Sequence, residues 1–253
     1  MKRPRESATF TQYGWKEAPF ESHEQSWSPD GSKKAAWSKL GQFADATGYT
    51  LSITNADGTA QEVLSNVPFG EWVAFSPDGK KLALGAVLDP KQKFDLFGLR
   101  YLSLFVMDLQ TKQLQELVHG NVSPLIYSDQ IWSPDSSAIL YETSDHDVRI
   151  YDLTTDRSHS IAQGENATWS PQGDLIAFQG GDKHYYAVKP DGTEKRLILS
   201  NRLRVLGEFH GPPFWSPTGQ YLAVQKLRLS LVAEISDYYV LDIRTRRLTK
   251  IHT

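Results

Sequence analysis

Short apolar runs, each broken by turn residues before it reaches helical length, recur along the whole chain. One set reads "KAAWS" (34–38), "KLALGA" (81–86), "AILYET" (138–143), "LIAFQG" (175–180) and "YLAVQK" (221–226). A second set ends in acidic or glycine-bearing turns: "LSITNADG" (51–58), "LFVMDLQT" (104–111), "RIYDLTTD" (149–156), "YYAVKPDG" (185–192) and "YYVLDIRT" (238–245). A third, "QEVLS", "LQELV", "SHSIA", "KRLIL" and "RRLTK", closes each unit. These stretches are too short, and too rich in β-branched and aromatic residues, to favour helices, so the pattern predicts strands.

A pentapeptide precedes each unit and sets its period. It reads "WSPDG" (27–31), "FSPDG" (75–79), "WSPDS" (132–136), "WSPQG" (169–173) and "WSPTG" (215–219), so the aromatic markers lie 48, 57, 37 and 46 residues apart. Proline presets the second position of a type I turn, glycine accepts the left-handed conformation at its end, and serine can cap it with its hydroxyl. With the strand that ends in the aromatic, each repeat supplies four antiparallel strands. Four strands at this period describe the blade of a β-propeller. The expectation is an all-β, five-bladed propeller with blades at about 23–66, 67–120, 121–164, 165–202 and 203–253. The markers Trp27, Phe75, Trp132, Trp169 and Trp215 are expected to be buried between blades, and residues 8–15 to form either one extra strand edging the last blade or a surface tail.

The aromatic-Ser-Pro-Asp-Gly motif followed by "KLALGA" and "VMDLQTKQLQEL" resembles the WD-like repeat of TolB-type propellers, found also in the propeller domains of tricorn protease and of prolyl-oligopeptidase-like enzymes. Ser136, Gln172 and Thr218 depart from the motif. TolB-type members carry a further blade and an additional N-terminal domain, so their particular partners do not carry over. The resemblance also implies work outside the cytoplasm, in the periplasm or secreted, although "MKRPRESATF" lacks the apolar stretch of a signal peptide.

Composition narrows the chemistry. The 253 residues are 40% hydrophobic, carry a net charge of −3 and contain no cysteine, which excludes disulfides and thiol chemistry and gives no broad electrostatic reason for a nucleic-acid partner. No apolar run is long enough to span a bilayer as a helix. Gly-x-Ser-x-Gly and phosphate-loop signatures are absent. The basic stretch "DIRTRRLTK" (242–250) reads as a solvated strand edge.

Long insertions, "AVLDPKQKFDLFGLRYLS" (86–103) and "KLRLSLVAEISD" (226–237), fall in the loops between second and third strands, and the connections 118–130 and 199–213 are also long. Loops on a rigid scaffold carry recognition. The reading is therefore a non-catalytic monomer that binds a protein or peptide through its loop-rich face, using Trp72, Tyr127, Asp129, His146, His184, Arg204, Glu208 and His210. A collar of Glu24, Glu71, Glu165 and Asn166 at the channel mouth would attract a basic peptide terminus or, less readily, a cation. No cofactor is expected. His119, His146, His184 and His210 share one rim without metal-ligand spacing. The alternative is a glycan-active hydrolase or lyase with paired carboxylates at that mouth.

Overall fold

In a computed structural model of the chain, the described residues are 9–15, 25–39, 49–67, 69–87, 102–123, 130–201, 208–229 and 234–251. They form five antiparallel sheets in which strands follow chain order, so each connection is a hairpin. The expected all-β, sheet-by-sheet organisation is present. The chain groups into two compact units, 22–160 and 161–253 with 1–21.

In the first unit, β1 (Gln25–Trp27), β2 (Lys33–Lys39), β3 (Tyr49–Asn55) and β4 (Glu62–Val67) make one sheet. A second contains β5 (Phe69–Phe75), β6 (Lys81–Val87), β7 (Leu102–Asp108) and β8 (Leu114–Val122). The third holds β9 (Ala138–Glu142), β10 (Asp147–Asp152) and β11 (Arg157–Gln163), with its innermost line reduced to a Trp132–Ile139 bridge. The second unit contains β12 (Glu165–Trp169), β13 (Ile176–Gln179), β14 (Tyr185–Val188) and β15 (Arg196–Leu199), then β16 (Glu208–Trp215), β17 (Tyr221–Leu229), β18 (Glu234–Asp242) and β19 (Leu248–Ile251).

The pentapeptide works as a self-satisfied corner. Ser28 Oγ donates to Asp30 Oδ1 at 2.6 Å and accepts from Lys33 N at 2.9 Å, while Gly31 N closes the turn on Ser28 O. Ser76 and Ser133 repeat the arrangement with Asp78 and Asp135. Where Gln172 replaces the aspartate, Ser170 Oγ turns to Asp174 at 2.8 Å; where Thr218 does, Ser216 Oγ meets the threonine hydroxyl at 3.0 Å. Polar satisfaction is thus kept, with the carboxylate relocated to Asp174 in one corner and replaced by a hydroxyl in the other.

Neighbouring sheets within each unit are joined through the aromatic markers. Trp132 Nε1 donates to Ala74 O at 3.1 Å, and Trp215 Nε1 to Thr168 O at 3.2 Å, so an indole reaches the carbonyl just before the previous marker. Phe75, Trp132, Trp169 and Trp215 are buried, as expected. Trp27 departs from that expectation. It is 43% exposed, and Lys34 covers its ring.

Of the stretch 8–15, the described residues 9–15 contain no strand. Phe10–Tyr13 is a 3-10 helix ended by Gly14 in the left-handed region. Its three-residue turn places Phe10 and Tyr13 on one side, where Phe10 meets Tyr238 and Tyr13 meets Tyr221, ring centroids 6.1 and 5.0 Å apart. An extended chain would point these two rings to opposite faces, so burial of both selects the helix.

Candidate acidic recognition site

The inner strands carry a feature that hydrophobic patterning does not reveal. β5 bulges between Gly70 and Trp72, β12 between Glu165 and Thr168, and β16 between His210 and Phe214. Each bulge falls three to four residues before the aromatic marker, at the positions of the expected collar. One extra residue, as in β5 and β12, reverses which side chains face inward, whereas β16 takes up two. Trp72 consequently pairs with Gly85 and is only 2% exposed, its indole lying where a Gly85 side chain would be. It is a core residue, not a surface anchor. Asn166 is likewise buried, in a left-handed conformation with φ 60°.

The residues expected to bind a partner therefore separate. In the first unit, Glu71 is half-buried in the β5 bulge, and His146 is exposed in the tight turn between β9 and β10, its N–H donating to Thr143 O. His119 is a surface residue beside Glu116, 2.7 Å away. Glu24, Tyr127, Asp129 and Arg204 lie outside the described residues. No group of three metal-ligating side chains comes together among the described residues.

The second unit does gather a site, where β12 and β16 begin and the β13–β14 hairpin ends. Glu165 pairs with Lys183 at 2.5 Å. Gln179, fully buried, donates through Nε2 to Lys183 O and Phe209 O, leaving its Oε1 with no partner. Asn201 clamps Phe209 from both sides, Nδ2 donating to Phe209 O and Oδ1 accepting from Phe209 N. Its own N–H donates to His184 Nδ1 at 3.1 Å, which requires that nitrogen to be unprotonated. His184 thus orients the connection into β16.

Tyr185 sits at the centre, fully buried, with its hydroxyl donating to Gly211 O at 2.8 Å. Burial pushes its phenol far above the ordinary range, and the negative charges of Glu165 and Glu208 add to that. Both carboxylates therefore act on one point from neighbouring inner strands. Glu165 is neutralised by Lys183, whereas Glu208, half-buried, has no hydrogen-bond or ion-pair partner among the described residues. His210, two residues on, is exposed. The arrangement leaves the half-buried Glu208 carboxylate without a partner among the described residues, which suits a cationic, hydrogen-donating group, while Gln179 Oε1 is buried beneath the surface. Glu165, His184 and Glu208 were visible in the sequence. Gln179, Lys183, Tyr185 and Asn201 were not, because they lie in ordinary strand and turn positions whose convergence depends on the bulges.

No family model matches the chain. Among curated proteins, it is 29% identical over 173 residues to dipeptidyl aminopeptidase B of Saccharomyces cerevisiae, covering 68% of this chain and 17% of that protein. It is also 29% identical over 171 residues to a probable dipeptidyl-aminopeptidase B of Metarhizium robertsii, covering 67% and 16%. The chain thus spans about a sixth of the length of these relatives. Among solved structures, the β-propeller domain of the Trilobed protease from Pyrococcus furiosus superposes with a TM-score of 0.60 at 16% identity, covering 90% of this chain and 70% of that one. A TolB candidate from Agrobacterium tumefaciens gives 0.62 at 16%, covering 93% and 82%, and puromycin hydrolase 0.62 at 16%, covering 89% and 37%. The fold is therefore TolB-like and propeller-like. The curated relatives correct the expectation of a non-catalytic binding scaffold, since the proteins this chain resembles at 29% identity are named dipeptidyl aminopeptidases.

Proposed function

We propose that the chain is the propeller portion of a peptidase of the dipeptidyl-aminopeptidase kind, its sheets serving as successive blades, and that the Glu208 end of the second unit receives the free amino group of a peptide. The observation that carries this reading is the half-buried Glu208 carboxylate, without a partner among the described residues, at the start of β16 and next to the β12 strand that carries the Glu165–Lys183 pair. An α-ammonium has three donors and one positive charge, which suits a carboxylate left without a counter-ion. Peptidases named for acting at the amino end need such a discriminator. A half-buried carboxylate discriminates because a charged group that is left unpaired there costs far more than one in water.

In this role the chain's residues bind and orient. Asn201 and His184 fix the start of β16 and hence Glu208, and Lys183 pairs with Glu165 on the neighbouring strand. Tyr185, held neutral, serves as a rigid post on Gly211 rather than as an acid or base. The test is isothermal titration with a tetrapeptide carrying either a free or an acetylated amino end. The free peptide is expected to bind at least about tenfold more tightly, the worth of one charge-assisted hydrogen bond, and Glu208→Gln to erase the difference. Equal binding of both peptides would overturn the reading.

A further inference from the structure

The motif departures at Gln172 and Thr218 coincide with a second feature of the surface. In the first unit, a cleft of about 340 Å³ opens between the first two sheets, bordered by the turns at Asp30 and Asp78, by Glu62 on β4 and by Lys112 after β7. In the second unit, a cleft of about 360 Å³ opens between the sheets of β15 and β16–β19 at the corresponding place. The correspondence is position by position. Glu62 pairs with Ile53, two residues before the turn closed by Asn55 N and Thr59 O; Arg196 pairs with Ala187, two before the turn closed by Lys189 N and Thr193 O. Lys112 N donates to Asp108 O and Arg246 N to Asp242 O, both residues being left-handed with φ 59° and 60°.

Charge is what differs. In the first cleft, Glu62 and Lys112 form an ion pair at 2.8 Å, and Asp30 and Asp78 add two carboxylates. At the same positions the second cleft has Arg196 and Arg246, and Arg244 adds a third cation to the lining; in the adjoining corners Gln172 and Thr218 replace the aspartates, with Asp174 standing where the first unit has Ser32. No side chain among the described residues pairs with any of these three guanidinium groups. The nearest carboxylate in that turn, Asp242, is consumed by Arg244 N, Thr245 N and Gln220 Nε2. Two cations stand at positions that hold an ion pair in the first cleft; because all three arginines are exposed their mutual repulsion is small, and an anion among them would be attracted by each.

We propose that this three-arginine cleft binds a phosphate dianion. A dianion matches the two facing guanidinium groups in charge, and four tetrahedral oxygens can accept from three planar forks where a single carboxylate offers two. Ile198 and Ile243 supply an apolar floor that lowers the competition from water. The site is separate from the Glu208 end and does not depend on it.

The experiment is isothermal titration of the chain with inorganic phosphate at pH 7.5, ionic strength being held constant with sodium chloride. Saturable binding that Arg196→Glu weakens at least tenfold, by restoring an internal pair with Arg246, is the expected result. Arg196→Gln, which leaves the fold's charge balance closer to the original, should also weaken it at least threefold, so that failure of the first variant to fold does not remove the test. Phosphate that binds no better than chloride, or that binds both variants as well as the original, would overturn the proposal.

Discussion

The two clefts share a scaffold and differ in lining. Both are framed by a Ser-Pro corner, by a β-turn with a left-handed basic residue, and by an aromatic marker packed behind. One is closed electrically by Glu62 and Lys112, whereas the other presents Arg196, Arg244 and Arg246 with no ion pair to them among the described residues. The difference teaches that in this repeat the backbone and the serine hydroxyl hold the corner, and the motif's aspartate can be exchanged for function. Gln172 and Thr218 show how, since each finds a substitute hydrogen bond; at Thr218 the negative charge is removed, while at Gln172 it moves to Asp174.

If the scaffolds are equivalent, removing their shared aromatic wall should cost the same in each. Phe75→Ala and Trp215→Ala are both expected to destabilise by about 3–5 kcal/mol in urea unfolding, and Trp27→Ala, at an exposed marker, by under about 1 kcal/mol. A large difference between the first two would break the comparison. Gly85→Ala comes next, at about 1–3 kcal/mol, because the new methyl occupies the space of the buried Trp72 indole.

Smaller effects separate the linings. Arg246→Glu should raise stability in phosphate-free buffer by up to about 1 kcal/mol, and Lys112→Glu should lower it by a similar amount, both effects shrinking in high salt. Glu62→Arg combined with Asp30→Gln and Asp78→Thr removes the acidic groups from the first cleft and should make thermal stability respond to phosphate there, which differential scanning fluorimetry would detect. Asp30 gives the finest distinction. The hydroxyl of Ser28, then the N–H and hydroxyl of Ser32, hold its carboxyl down to about 2. Its folded value lies below the unfolded value of about 3.9, so its contribution is complete above about pH 4 and is lost as pH falls through about 2. Carbon-detected NMR should place the Asp30 titration near 2, and Asp30→Asn should flatten the acid limb of the stability profile.

Much of this was legible before any coordinates. The recurring corner and the alternating runs predicted sheets, their antiparallel hairpins and the burial of Trp132, Trp169 and Trp215, because turn chemistry and side-chain period are local properties. Bulges are not. One extra residue in β5 turned Trp72 into the core, and those in β12 and β16 assembled Glu165, Gln179, Tyr185 and Glu208 from positions without a motif. Phe10 and Tyr13 formed a 3-10 turn because their rings had partners on β17 and β18, a tertiary cause that local propensity does not contain. The contrast in cleft charge was written in Gln172, Thr218, Arg196 and Arg246, yet only the matched registers showed that these residues face the same kind of space.

The central functional claim rests on Glu208, and amide chemical-shift mapping tests it most directly. Titration with a peptide bearing a free amino end should move the signals of Glu208, Phe209, His184 and Asn201 and leave Arg244 to Arg246 still, with no such movement for the acetylated peptide. Identical shifts for both peptides, or shifts confined to other strands, would contradict the account.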